Sequence, residues 1–224
     1  METDNKNNFL INKTKININN CGDSTPKQNN NDQLKKKYPS LHHYFPNTSD
    51  LLVKKICSWV IDDQKSCRGV SKPEKSLSKN MEAGVYEILE IVLNYITQDL
   101  KESEVFLVIS VYFANKYVEK VGIRQSQILW LILISCILSL KMFSDSNKIN
   151  LDIIEKRFLI DAKHIGKMEI QFLSNIDYNL YLEESSITAF LTCIFIDYKI
   201  NCQSKLDMIQ NLFSQIESIK TGSE

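Results

Sequence analysis

The feature that most restricts the fold of this chain is the absence of proline beyond Pro73 in a sequence of 224 residues. The same stretch, residues 74–224, contains only four glycines. Proline and glycine mark the tight turns that join β-strands, and both interrupt helices. A stretch with so few of either predicts helices and argues against an all-β or a Rossmann-type fold. We therefore predict an all-α fold.

Apolar residues recur at helical spacing along most of this stretch. The pattern predicts a short amphipathic helix over 51–61, followed by a polar loop over 62–80 with Gly69 and Pro73 as helix breakers. The helices predicted after this loop, in chain order, cover 82–99, 104–120, 128–140, 151–159, 161–176, 186–197 and 204–219. The five helices over 82–176 are expected to form the body of the protein.

The third helix of this body is unusually apolar. Residues 128–140 read ILWLILISCILSL, and only Ser135 and Ser139 in this run are polar. A helix that spans a bilayer needs about 20 apolar residues, so a run of this length is typical of a core helix. We expect this helix to be central, contacted on all sides, and not to lie in a membrane.

The N-terminal segment has a different composition. Residues 1–50 contain 11 asparagines and three of the four prolines. Such a segment buries too little apolar surface to offset its chain entropy, which predicts disorder. The expected organisation is therefore a disordered tail over 1–50, a short helix and loop over 51–80, the helical body over 81–182, and C-terminal helices over 183–224.

The charge and the cysteine content of the chain restrict its possible partners and its location. The formal net charge is zero, which argues against a nucleic-acid or anionic-membrane partner. The six cysteines form no CxxC pair, and Cys136 and Cys193 lie in apolar runs that suit small buried residues. The chain opens on Met-Glu-Thr-Asp with no apolar leader, so we expect a cytoplasmic or nuclear location.

Sites of known chemistry are not recognisable in the sequence. The three histidines have no cysteine or carboxylate at zinc spacing, so we expect no metal. No phosphate-binding loop, nucleophile elbow or HExxH motif occurs. We therefore expect a protein that is not an enzyme and that needs no cofactor.

Two charged residues stand at unusual places. Lys141 closes the most apolar helix, in SLKMF (139–143), and Glu169 lies in KMEIQFL (167–173), four residues after Ile165. Taken alone, a lysine in the last turn of a helix complements the helix dipole. A glutamate at the edge of an apolar stripe is, in the same way, usually only solvated.

The sequence around these charges resembles the cyclin box. SCILSLKMF (135–143) is similar to the end of the third cyclin-box helix, and KMEIQFLSNIDYNLYL (167–182) to the fifth helix and its exit. VISVYFANKYV (108–118) is similar to the second helix. The three segments occur in the family's order and at nearly its spacing. The resemblance covers about 82–191 and implies a five-helix cyclin box with a central buried third helix.

The resemblance also implies a function and a site. It implies a regulatory subunit that binds and activates a cyclin-dependent serine/threonine kinase as a heterodimer. The lysine and glutamate that grip the kinase near its regulatory helix would be Lys141 and Glu169. Apolar neighbours would form the buried centre of the interface; these are Met142, Phe143, Leu173, Tyr178 and Leu180.

The chain departs from cell-cycle cyclins in several places. GVYEILEI (84–91) lacks the Met, Arg and Trp of the substrate-docking patch on the first helix, and Asn115-Lys116 replaces a common Asp-Arg. A single box resembles the P/U-type or Y-type cyclins more than the mitotic ones. Two alternatives remain open at this point. One is a cyclin-fold transcription factor, and the other is a helical adaptor without a kinase partner.

Overall fold

The computed structural model describes residues 30–46, 48–67, 75–144, 149–196, 210–211 and 214–219. No β-strand occurs among them, so the predicted all-α fold is confirmed. The α-helices, in chain order, are α1 (Asn30–Lys37), α2 (Pro39–Tyr44), α3 (Ser49–Cys67), α4 (Lys75–Asn94), α5 (Val105–Val121), α6 (Ile128–Phe143), α7 (Leu151–Phe158), α8 (Ala162–Asn175) and α9 (Glu184–Ile196). A π-helical turn, Tyr95–Asp99, continues α4, and a 3₁₀ turn, Gln125–Gln127, leads into α6.

Helix α6 lies in the centre of the core. It packs against α4, α5 and α8, and every side chain over 131–140 is buried. Ser135 and Ser139 are tolerated there because their hydroxyls donate to the carbonyls of Leu131 and Cys136. By length and composition alone Gln125–Phe143 could cross a bilayer. Its packing between three helices instead favours a core helix.

The helix ends follow local signals in the sequence. The Asn150 side chain accepts a hydrogen bond from the Asp152 N–H at 2.8 Å, which makes Asn150 the N-cap of α7. Asp161 caps α8 in the same way through the Lys163 N–H. Helix α5 ends before Gly122, which adopts φ 72°, a left-handed value that favours glycine. These signals fix where α5 ends and where α7 and α8 begin, and the packing of α8 on α6 then brings Glu169 to Lys141.

The prediction of a disordered tail over 1–50 is wrong for its described part. Residues 30–37 and 39–44 are helical, and Tyr38, Leu41 and Phe45 are buried. These three side chains recur at i, i+3 and i+7, so even a polar segment presents one apolar face that packs on the body. Residues 1–29 lie outside the described residues.

Two further predictions, the loop over 62–80 and the burial of Cys193, need revision, whereas the predicted helix over 204–219 is helical in its described part. Helix α3 continues to Cys67 and α4 begins at Lys75, so the predicted loop over 62–80 is largely helical. Gly69 and Pro73, the predicted helix breakers, lie in 68–74, outside the described residues. The second predicted C-terminal helix is described only at 210–211 and 214–219, which are helical. Cys193, expected to be buried, is exposed.

Thiol accessibility provides a first test of this core. Burial raises the pKa of Cys136 to about 12, and burial together with the Glu82 charge raises that of Cys57 to about 12. The reactive thiolate is therefore scarce at both sites near neutral pH. We expect iodoacetamide to modify Cys193 in the native chain at least about 100-fold faster than Cys57 or Cys136. Peptide mass mapping measures this ratio, and comparable native rates would contradict the burial of α6.

Candidate functional site

Lys141 and Glu169 form an ion pair at the edge of the core. The Lys141 Nζ lies 2.6 Å from the Glu169 Oε1, although 28 residues separate them in the sequence. The lysine side chain is 46% exposed and the glutamate side chain 15% exposed. The pair therefore lies at the surface, with its carboxylate set into the protein and its ammonium facing solvent.

The sequence positions each partner through the core on which its helix rests. Lys141 is the first exposed residue after the buried run of α6, in the last turn of that helix. Glu169 stands on α8 between Ile165 and Phe172, which are both buried. Helix α8 is thus anchored on either side of the carboxylate, which fixes the carboxylate against the end of α6.

The pair keeps hydrogen-bonding capacity beyond its own contact. An ammonium has three N–H donors and a carboxylate has four acceptor positions. Among the described residues, the hydrogen bond that Lys141 and Glu169 make is the one to each other. Two N–H groups and one carboxylate oxygen are therefore available to a second molecule. The geometry suits a partner that offers backbone carbonyl and N–H groups together.

The predicted apolar neighbours differ in how far they are exposed. Met142 is 53% exposed and Tyr178 is 66% exposed, so both offer apolar surface to a partner. Leu173 and Phe143 are half-buried, and the Phe143 ring stacks on Phe113 with centroids 6.3 Å apart. These four residues remain part of the predicted kinase-binding surface.

Leu180 does not share this exposure. Its side chain is 8% exposed and belongs to the core, as does that of Leu182. The chain turns sharply after α8, with Asp177 and Tyr178 both in the left-handed region at φ 54° and 56°. This turn places Tyr178 at the surface and Leu180 in the core. A role of Leu180 in the kinase interface stays a prediction, and in this conformation its side chain packs against the core.

Two lysines of α5 hold the turn in place, and the sequence did not single them out for this role. The Lys116 Nζ donates to the carbonyl of Tyr181 at 3.2 Å and stands over the Tyr112 ring, 5.0 Å from its centroid. Burial lowers the pKa of Lys116 from its ordinary value. Lys120 pairs with Asp177. The only sequence signal was that Asn115-Lys116 departs from the cyclin pattern at this point.

An exposed isoleucine was also missed. Ile170 directly follows Glu169 on α8 and is 64% exposed. Periodicity cannot identify it, because a single apolar residue off the inner stripe is common on helices. With Met142, which directly follows Lys141, it gives each charge of the pair an exposed apolar neighbour in the chain.

A small open cleft lies between α3 and α5. It has a volume of about 260 Å³ and is lined by Lys55, Ser58, Trp59, Asn115, Val118, Glu119 and Gly122. The Trp59 Nε1 donates to the Asn115 Oδ1 at 3.1 Å, and the Asn115 Nδ2 donates to the Glu119 Oε1 at 2.7 Å. The Trp59–Asn115 bond ties α3 to α5, and the Ser58 hydroxyl in the lining donates to the Lys55 carbonyl at 2.6 Å.

Comparison with known proteins adds no relative. No protein-family model, no curated protein and no solved structure matches the chain. Within the described residues, no three His, Cys, Asp or Glu side chains cluster as metal ligands would. The functional argument therefore rests on the Lys141–Glu169 pair and its surroundings.

Proposed function

We propose that this chain is a regulatory subunit that binds and activates a cyclin-dependent serine/threonine kinase, and that α4–α8 are the five helices of a cyclin box. The observation that carries the proposal is the Lys141–Glu169 ion pair of 2.6 Å. The cyclin resemblance implied that these two residues act together, and they meet across two helices. Their exposed neighbours Met142 and Tyr178 support the same surface.

In this proposal the subunit contributes contacts and no catalytic group. Lys141 donates to main-chain carbonyls near the kinase's regulatory helix, and Glu169 accepts from its N–H groups. Met142, Phe143, Leu173 and Tyr178 bury apolar surface around the charges, which strengthens those polar contacts by excluding water. Binding biases the kinase toward the state in which its strand lysine pairs with its regulatory-helix glutamate.

The proposed partner is a single kinase chain in a heterodimer, located in the cytoplasm, the nucleus or both. A partner of this kind needs neither nucleic acid nor a membrane, in keeping with the zero net charge of the chain. Metal and cofactor play no part in the proposed mechanism. The first cyclin-box helix is proposed without a substrate-docking patch of the cell-cycle type.

The direct test is affinity capture of the full chain from its native cells, followed by a kinase assay on the captured material. We expect a serine/threonine kinase in about equimolar amount, with activity that depends on the captured chain. Lys156→Ala is a matched control for Lys141→Ala, because Lys156 is also an exposed lysine in the last turn of a helix but stands on α7, which carries neither member of the pair. Capture of nucleic acid that is lost steeply with added salt would favour a transcription-factor role instead.

A further inference from the structure

A buried carboxylate holds the N-terminal segment on α4. Glu90 is 9% exposed, and its two oxygens accept hydrogen bonds from the backbone N–H groups of Ser40, at 3.0 Å, and Leu41, at 2.7 Å. We call residues 38–45 the strap. One side chain of α4, that of Glu90, therefore binds the backbone of the strap.

Apolar and aromatic contacts complete the attachment of the strap. The Tyr38 ring stacks on Tyr86 with centroids 5.2 Å apart, and the Tyr38 hydroxyl donates to the Ala83 carbonyl at 3.1 Å. Leu41 and Phe45 are buried in the core cluster. The strap is therefore docked in one position, with the Glu90 carboxylate bound to its main chain.

Ser40 stands at the centre of this contact and follows a basic run. Its N–H is bonded to Glu90, and its own side chain is half-buried. Lys35, Lys36 and Lys37, which are exposed, occupy the positions five, four and three residues before it. Protein kinases that select basic substrates read lysine or arginine at such positions through complementary acidic surface.

We propose that Ser40 is a phosphorylation site of a basic-directed protein kinase, and that its phosphorylation releases the strap from α4. The Ser40 Oγ attacks the γ-phosphorus of a nucleoside triphosphate and loses its proton, while the bond to the β–γ bridging oxygen breaks and nucleoside diphosphate leaves. The modifying kinase is a separate enzyme. The proposal does not depend on the proposed kinase partner of the Lys141–Glu169 surface.

We expect release because the phosphate on Ser40 and the carboxylate of Glu90 are both negatively charged and repel each other. A phosphate brings about two negative charges to the residue whose N–H binds Glu90. Glu90 is fixed by its position on the buried face of α4 and has little water to screen the repulsion. A kinase needs the segment undocked and extended, so phosphorylation also traps the open state that the enzyme uses. Release uncovers Tyr86 and Glu90.

Hydrogen–deuterium exchange on the full chain tests the proposal. The chain is phosphorylated with a purified basic-directed kinase and MgATP, and peptide mapping locates the phosphate. We expect Ser40 to be modified, and the amides of the strap to exchange at least about tenfold faster afterwards, with those of α6 unchanged. Ser40→Ala, treated in the same way, should keep the slow exchange of the unmodified strap.

Glu90→Gln distinguishes repulsion from a general loosening. The amide still accepts one hydrogen bond but carries no charge, so phosphorylation of this variant should accelerate strap exchange by a clearly smaller factor than in the wild type. Three outcomes would overturn the proposal. They are no modification of Ser40 by the kinase, unchanged strap exchange in the fully phosphorylated chain, and an equal acceleration in the Glu90→Gln chain.

Discussion

Alanine at Lys141 or at Glu169 is expected to weaken kinase binding by about 2–5 kcal/mol while the subunit stays folded. The pair lies at the surface, with the lysine side chain 46% exposed, so its own contribution to stability is about 1 kcal/mol or less. In a complex the same pair becomes desolvated, and each truncation strands a charge or a donor on the other side of the interface. Titration of the purified kinase, with thermal melts of each variant, measures both effects.

The double variant and a control lysine sharpen the comparison. Lys141 and Glu169 are proposed to act on one site, so their joint loss should cost less than the sum of the single losses. Lys156→Ala should bind with wild-type affinity. A lower melting temperature with unchanged binding would assign the pair a structural role. Normal binding by both single variants would exclude kinase recognition through the pair.

Exchanging the two charges separates an internal role from a recognition role. Lys141→Glu combined with Glu169→Lys can re-form an ion pair between α6 and α8, so stability should stay within about 1 kcal/mol of wild type. The donor and acceptor positions facing the kinase are reversed, however. We expect the exchanged variant to be folded and to bind no better than the single alanine variants, whereas full binding would show that the pair only holds the helices together.

The helices of the body were predictable because each carries its signals locally. The absence of proline, the helical spacing of apolar residues and the apolar run over 128–140 predicted α5–α7 to within about three residues at each end. The meeting of Lys141 and Glu169 is different, since no periodicity connects positions that lie 28 residues apart on two helices. That contact depends on how α8 packs on α6, and only the family resemblance suggested it.

The structure differs from what the sequence indicates where tertiary packing outweighs composition. Leu180 and Tyr178 stand two residues apart after α8, and only the left-handed turn decides which of them faces the core. The prediction of disorder for the strap was wrong for a related reason. Composition averages over many asparagines and hides three apolar side chains that lie on one face. The carboxylate that grips the strap lies about 50 residues away, at Glu90, and no local pattern could indicate it.

Removal of residues 1–46 is expected to destabilise the body, although the polar composition of this segment suggests that its deletion is tolerated. The free energy of unfolding of this truncation is best compared with that of a chain that lacks 1–37 and keeps the strap. The larger deletion loses the burial of Tyr38, Leu41 and Phe45 and both hydrogen bonds to Glu90. A buried leucine alone is worth about 2–5 kcal/mol, but ordering the segment costs entropy that the deletion recovers. We therefore expect the free energy of unfolding to fall by about 2–4 kcal/mol between the two truncations.

Urea unfolding of both truncations measures this difference, and Leu41→Ala in the full chain provides a matched point substitution. That variant should lose no more than the larger truncation does, because undocking of the strap limits the damage that any change within it causes. Removal of 1–62 should go further and abolish cooperative unfolding, since it takes away Leu52, Ile56 and Trp59 of α3, which are buried in the core. Equal stability of the 1–37 and 1–46 truncations would show that the strap adds nothing to the fold, and a switch at Ser40 would then have no docked state to release.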